Sequence, residues 1–357
     1  MSVERSADLV RLVELVEQFS QQTILLLGDF VADEFVFGQI SRVSREAPVL
    51  ILRQRETQTV PGGGANAANN LMDLGARVRA VSTVGQDAAG DALLDYFKSK
   101  RAGTSGRIET KGIVRVPQWT TPAKTRFLAG WEHTTRQQVL RMDREPSGDL
   151  PAKSAAALVR KAKDALPGAT GVLVSDYGYG AASPEILRAI KAQKDWPVRV
   201  ALDSRYRLHE FNRLGITAAT PNEAELEAAH HAQIGADLKQ LERLARKTAT
   251  RLGSAAVLIT RGRDGMMLFE RGRPAQSLAV FGSDQAVDVT GAGDTVIAVF
   301  SLALAAGATM LEAAQLANYA GGIVVMKRGT ATVTQDELLA AIRGEATGAA
   351  ANSGGAV

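Results

Sequence analysis

No cysteine occurs among the 357 residues. That excludes disulfides and thiolate zinc sites, and it is what a protein of a reducing compartment can show. Histidine is scarce: His133, His209, His230 and His231 have no metal-ligand spacing, and an adjacent pair would point apart on a helix, so they read as surface residues. No apolar run reaches about 18 residues, so no membrane span is expected. The N-terminal MSVERSADLVRLVELVEQFS carries Glu4, Asp8, Glu14 and Glu17 and lacks the basic start and continuous apolar stretch of a signal peptide. It reads as an amphipathic helix, and the cytoplasm is the expected location. A Gly-x4-Gly-Lys-Ser/Thr loop is also missing, which excludes a Walker-type ATPase. There is no internal repeat. Charge of either sign forms no block: 42 basic and 38 acidic residues are interspersed, so no nucleic-acid partner is expected. The net charge of +4 is compatible with small anionic substrates.

What is present is the balance of an ordinary soluble globular chain, 45% hydrophobic and 22% charged. The length suits one large α/β domain with a smaller element, or two modest domains. Short β-branched or leucine-rich runs alternate with helical patterns. Strands are expected at Thr23–Gly28, Val78–Val84, Gly171–Ser175, Val198–Asp203, Ile216–Ala219 and Ala255–Thr260. Helices are expected at Gly64–Leu74, Ala88–Lys100, Ala152–Leu166, Pro184–Ala192 and Asp237–Leu252. Such alternation implies crossover connections and a mostly parallel sheet covered by helices on both faces, a three-layer α/β/α architecture. The apolar continuity of ILLLG, GVLVSD and AAVLIT fits strands buried on both sides.

Two stretches break the rhythm. Phe35–Val60 and Lys111–Arg144 lack a helical period and contain alternating runs such as VLILRQ, GIVRV and KTRFLA. Both read as strands of a small separate sheet, a lid built from two insertions. The end of the chain, roughly Gly344–Val357, is small and polar and is expected to be a disordered tail after a single domain spanning 1–343.

The strongest chemical signal is Asp288–Thr295, DVTGAGDT, at the entry to a long apolar helix, Asp294–Ala306. Gly291, Ala292 and Gly293 are small enough for backbone amides to approach a ligand closely. A helix start offers unpaired N–H groups and a positive dipole end, so it suits an anion. Asp294 then lies beside that anion, where phosphoryl transfer needs a group to accept a hydroxyl proton. Alone, the same residues would also serve as a Gly-rich turn capped by an aspartate.

In context they carry a resemblance. DVTGAGDT is similar to the C-terminal signature of the ribokinase-like carbohydrate kinases, the phosphofructokinase-B family. Three further matches stand in order: GDFVADEF (28–35) resembles the substrate-binding strand end, PGGGANAANNLMDLGA (61–76) the N-terminal glycine signature, and TPNEAELE (220–227) the Asn-x-x-Glu motif. The similarity spans about Thr23 to Arg343. It implies ATP and Mg²⁺ as cofactors and a sugar or sugar phosphate as acceptor. Asp29, Asp33, Gly62, Gly63, Gly64 and Asn66 would bind the sugar, and Asp294 would be the base, with Gly291, Ala292 and Gly293 as the anion hole. Asn222 and Glu225 would lie in the magnesium and triphosphate environment, through water. Equally, they are what a Pro-initiated helix needs as ordinary caps. Thr260–Gly265 (TRGRDG) resembles the nucleotide-side loop, so Thr260, Gly262 and Gly265 are nucleotide candidates.

Within the family the pattern is most similar to kinases that phosphorylate the anomeric hydroxyl of D-glycero-D-manno-heptose 7-phosphate, a step toward lipopolysaccharide core heptose. The segments behind this are SRVSREAPVLIL (41–52), TTPAKTRFLA (120–129), QVLRMDRE (138–145) and SDYGYGA (175–181). Arg42, Lys124, Arg126 and Arg141 would surround an acceptor that already bears a phosphate, or would form a solvated basic face. Two departures bear on substrate choice. Tyr179 stands where the pattern has lysine, and Ser204-Arg205 stands where it has Pro-Lys, with Arg205 able to replace that lysine as a phosphate ligand. Bifunctional relatives carry a nucleotidyltransferase domain; no such motif is seen, so that step is expected elsewhere. A homodimer through the lid is expected, because a sheet this small leaves edges and apolar faces to be covered.

Overall fold

The computed structural model describes residues 3–100, 106–131, 134–196, 199–283 and 285–353. His133 and Val198 lie outside the described residues. The strands, in chain order, are β1 (Thr23–Gly28), β2 (Phe30–Val43), β3 (Leu50–Gly63), β4 (Arg77–Gly85), β5 (Arg107–Val116), β6 (Ala123–Gly130) and β7 (Gln137–Arg144). They continue with β8 (Gly171–Asp176), β9 (Val200–Ser204), β10 (Ala218–Ala219), β11 (Ala256–Thr260), β12 (Met266–Glu270) and β13 (Gln276–Leu278).

Nine of them form one sheet in the order β13-β12-β11-β10-β9-β8-β1-β4-β5. From β11 to β5 every neighbour is parallel; β12 and β13 add an antiparallel edge. The expectation of a mostly parallel sheet between two helical layers is met, and β1 shows why. Its side chains alternate between the two faces, and both faces are core: Ile24 and Leu26 enter the cluster beneath the helices Gly64–Asp73 and Ala292–Ala305, while Leu25 and Leu27 enter the opposite cluster with Leu158 and Ile186. All four leucine and isoleucine side chains are fully buried. Each is worth about 1.5–3 kcal/mol relative to exposure.

Helix boundaries follow local chemistry. Asp237 caps Leu238–Leu252 by accepting from Lys239 N and Gln240 N, and Gly253 closes it in a left-handed conformation. The helix Glu223–His230 opens at the expected Asn222/Glu225 start with a capping box; Met310–Val324 was not expected, although it too opens with one, Thr309/Glu312.

The second sheet has the order β3-β2-β6-β7 and forms the expected lid. Its composition corrects the sequence reading in two ways. The run GIVRV belongs to β5, which pairs in parallel with β4 at the edge of the main sheet and takes no part in the lid. The lid strands themselves begin earlier and end later: β2 and β3 pair from Phe30↔Gly63 outward to Val43↔Leu50, so the lid grows directly out of the end of β1. At the C-terminus the last helix, Gln335–Ser353, extends past Gly344 into the segment expected to be a disordered tail, of which residues 354–357 lie outside the described residues.

Candidate active site

The sheet order reverses between β1 and β8, with β4 and β5 added on one side and β9 onward on the other. Ligands of open α/β sheets bind outside the carboxyl ends of strands at such a switch point. Here those ends deliver Asp29 after β1, Tyr177 after β8, Asp203 in β9, and Asn222 after β10. The lid strands β2 and β6 add Asp33, Lys124 and Arg126 from above. Of these, Tyr177, Asn222, Asp33, Lys124 and Arg126 line a cavity of about 480 Å³, together with Arg141, Arg205, Glu225 and Asp294.

Asp294 is the third residue of the helix Ala292–Ala305 and is buried. Its Oδ1 accepts the Tyr177 hydroxyl at 2.7 Å and its Oδ2 accepts Asn66 Nδ2 at 3.1 Å. Burial pushes its pKa up to about 6, against the two hydrogen bonds, which favour the charged form. That places it in the range useful to a general base near neutral pH.

The anion hole is smaller than the sequence suggested. Gly291 caps the helix at φ +77°, but the Ala292 N–H turns back to the Val289 carbonyl at 3.2 Å. Among the described residues the N–H groups of Gly293 and Asp294 have no acceptor within the chain, as expected at a first helical turn. Gly293 also lines a second, mostly apolar cavity of about 400 Å³, with Thr260, Gly262, Gly265, Met266 and Val296. The two cavities meet at Val289 and Gly293. One is polar and basic and the other apolar, and Gly293, with its free amide, lies at their junction.

Other candidates divide into three groups. Asp33 lines the polar cavity but is already engaged: Oδ1 accepts Arg126 at 2.7 Å and Oδ2 accepts the Thr330 hydroxyl at 2.9 Å. Lys124 faces the ring of Tyr177 at 5.0 Å, and burial lowers its pKa. Arg141 is forked onto Asp143, whereas Lys124 and Arg205 have no carboxylate partner among the described residues.

Asn222 and Glu225 form the capping box, which satisfies the ordinary cap role, and they line the cavity as well. Glu225 Oε2 takes the Asn222 N–H at 2.9 Å, which leaves its other oxygen without a hydrogen bond among the described residues. Burial first, then the nearby Glu225 and Asp294 carboxylates, hold the Asp203 carboxyl well above the usual carboxylate range. Among the described residues no three acidic or histidine side chains converge as a closed metal cage. One or two carboxylates beside an anion hole is nonetheless the donor set that suits Mg²⁺, which keeps most of its water and shares phosphate oxygens.

Three expectations are corrected. The Asp29 carboxylate does not reach the cavity; it is fully buried and accepts three backbone N–H groups, from Tyr177, Tyr179 and Ala181, because a strand-end carboxylate points wherever unpaired amides are closest. Gly62 and Gly64 make room for the protein rather than for a ligand: a Cβ on Gly62 would lie 2.6 Å from the Asp33 carboxylate, and one on Gly64 2.9 Å from Gly28. Only Gly63 of the three lines the cavity. Arg42 is exposed far along β2 and does not line the cavity either. Tyr177, Asp203 and Tyr206 were not singled out from sequence as site residues, although the first lies within the SDYGYGA block.

His209 and His230, expected at the surface, are half-buried and pack edge to face at 4.6 Å. No described helix is long and apolar enough to cross a membrane.

The chain is 37% identical over 334 residues to the bifunctional protein HldE of Desulfatibacillum aliphaticivorans, covering 92% of this chain and 64% of that protein. It is 39% identical over 336 residues to HldE of Mesorhizobium japonicum, covering 92% and 63%. The chain thus spans a little under two thirds of the length of these relatives. In fold it is similar to Arabidopsis thaliana ribokinase complexed with ribose and ATP, with a TM-score of 0.65 at 20% identity over 90% of this chain and 98% of that one. It is also similar to phosphofructokinase-2 of Escherichia coli, with a TM-score of 0.72 at 18% identity over 91% and 99%. The model of the pfkB family carbohydrate kinases matches residues 30–337, and the chain belongs to that family.

Proposed function

We propose that the enzyme transfers the γ-phosphoryl group of ATP to a hydroxyl of a sugar that already carries a phosphate, with Asp294 as the base. The acceptor we favour is D-glycero-β-D-manno-heptose 7-phosphate, phosphorylated at the anomeric oxygen to the 1,7-bisphosphate, a precursor of ADP-heptose and lipopolysaccharide core. One observation carries the reading: a basic polar cavity and an apolar slot meet at the free amides beside Asp294. The slot suits a purine, the amides of Gly293 and Asp294 suit the transferring phosphoryl, and Lys124 and Arg205 remain to neutralise an acceptor phosphate. The motifs similar to heptose 7-phosphate kinases, and relatedness over 92% of the chain to bifunctional HldE proteins, support the choice of sugar.

In the mechanism, Asp294, its carboxylate held by the Tyr177 hydroxyl and Asn66 Nδ2, accepts the proton of the attacking hydroxyl. Bound Mg²⁺ would neutralise charge on the phosphates, with Glu225 and Asn222 holding its water shell. Lid closure over the cavity excludes water and protects the phosphoryl group from hydrolysis. The lid also leaves Val43, Leu50, Leu140 and Met142 exposed, which supports a homodimer in which two lids meet. An ADP-release assay across heptose 7-phosphate, fructose 6-phosphate, ribose and fructose tests the assignment. Highest kcat/KM on the heptose phosphate is expected; a preference for unphosphorylated ribose or fructose would refute the acceptor, leaving the kinase intact.

A further inference from the structure

We infer that Tyr177 is the positioning residue of the base, and that Asp29 holds it in place through the loop 176–181. The inference rests on the reading of Asp294 as base and goes beyond it to what aims that carboxylate.

The Tyr177 hydroxyl donates to Asp294 Oδ1 at 2.7 Å while Asn66 Nδ2 donates to Oδ2 at 3.1 Å. One donor on each oxygen fixes the plane of the carboxylate, and each oxygen keeps a lone pair for the acceptor hydroxyl. Asn66 is held by a helix. Tyr177 is not: it lies on a loop whose Gly178 and Gly180 have φ of +86° and +94°. Such a loop needs an outside anchor, and Asp29 supplies one. Its Oδ2 accepts the N–H groups of Tyr177 and Tyr179, both at 2.9 Å, and its Oδ1 that of Ala181 at 2.7 Å. A second tie runs from the Tyr179 hydroxyl to Glu145 at 2.8 Å, at the end of the lid strand β7. The chain of contacts therefore runs Asp29, loop, Tyr177, Asp294. A displacement of about 1 Å in a reacting group can cost about 10²-fold in rate, so the anchor matters to chemistry.

Several charged groups share this environment. Asp33 and Lys124 face Asp294 from the lid, and Asp203 from β9, with Glu225 next to Asp203 on its helix. Any of them can move the titration of Asp294, so a single variant at Tyr177 is paired with a graded one. The hydroxyl favours the charged carboxylate, so losing it raises the pKa of Asp294 and strengthening it lowers that pKa.

The experiment compares wild type, Tyr177→Phe, Asp29→Asn and a protein carrying 3-fluorotyrosine at position 177, by ADP release as a function of pH. Tyr177→Phe is expected to lower kcat by about 10–100-fold, the effect of one lost hydrogen bond to a charged group. Its KM for ATP stays within a few-fold, and the acid limb of kcat/KM moves to higher pH. Fluorotyrosine, a stronger donor of nearly the same shape, moves the limb to lower pH. Asp29→Asn sets an amide against three N–H donors and reproduces the loss of kcat. A folded Tyr177→Phe protein with kcat within twofold and an unmoved limb overturns the inference; a folded, fully active Asp29→Asn protein removes the anchor half. Should the phenylalanine variant fail to fold, the direction of the fluorotyrosine shift decides. A wild-type rate with no acid limb down to about pH 5 is a separate failure, that of Asp294 as base.

Discussion

Two glycines in the same motif should respond to substitution in opposite ways. Gly291 has φ +77°, and a Cβ there would stand 2.5 Å from Asn66 Nδ2 and 3.1 Å from Thr330 Cγ2. Gly293 has nothing within 4 Å of the same point. Gly291→Ala must therefore hold an L-residue in the left-handed region, at about 1–2 kcal/mol, and push Asn66 aside. The displaced amide gives up its bond to the Asp294 carboxylate, a loss of about 1.5–3 kcal/mol for a charged partner. The sum is about 2.5–5 kcal/mol of stability, with a fall in kcat expected because the Asp294 carboxylate loses one of its two donors. Gly293→Ala adds a methyl group to open space in a helix, where alanine is favoured, so stability changes by no more than about 0.5 kcal/mol. Its methyl group stands instead at the junction of the two cavities, and Gly293→Val fills more of it, so nucleotide affinity and kcat fall. Urea unfolding monitored by tryptophan fluorescence, with ATP calorimetry and ADP release on the same samples, measures both halves. A Gly291→Ala protein as stable as wild type, or a Gly293→Val protein with unchanged ATP affinity, would refute the geometry described here.

Asp294→Asn should lower kcat by about 10²–10⁴-fold and leave ATP binding within a few-fold, measured by ADP release and calorimetry. With its pKa raised to about 6, Asp294 works as a base only when ionised, so kcat/KM should be flat above about pH 7 and fall as pH drops through about 6; a wild-type profile that rises on acidification would contradict this sign. Arg126→Ala strands the Asp33 carboxylate beneath the lid and should raise the sugar KM far more than the ATP KM in steady-state kinetics. Charged residues at Leu50 and Leu52 should weaken dimerisation in sedimentation and again raise KM for sugar more than for ATP; a monomeric wild type at micromolar concentration would remove the lid interface.

Much of the main sheet could be read from the chain, and the exceptions have physical causes. The strand Thr23–Gly28 and the helix Ala88–Lys100 coincide with expectation because a continuous apolar run and a bounded amphipathic period are local signals. The run GIVRV misled because an edge strand of a main sheet is half covered and alternates just as a lid strand does. The helix Met310–Val324 went unread because it is buried on most sides and shows little polar face. At the site, DVTGAGDT placed Asp294 in the first turn of a helix, since a helix start is local chemistry. The orientation of Asp29 was not legible: a carboxylate after a strand can face sugar or backbone, and the choice is made by amides about 150 residues away. Tyr177 was missed for the same reason, since its partner Asp294 lies 117 residues along the chain.

The central claim is that Asp294, at the junction of the two cavities, takes the proton from a phosphosugar hydroxyl as ATP delivers its γ-phosphoryl group. Single-turnover ³¹P NMR with ATP-Mg and D-glycero-D-manno-heptose 7-phosphate, wild type against Asp294→Asn, measures that step directly. One new anomeric phosphate resonance and stoichiometric ADP are expected with wild type, and bound but unreacted ATP with Asp294→Asn. Equal turnover by the two proteins would contradict it.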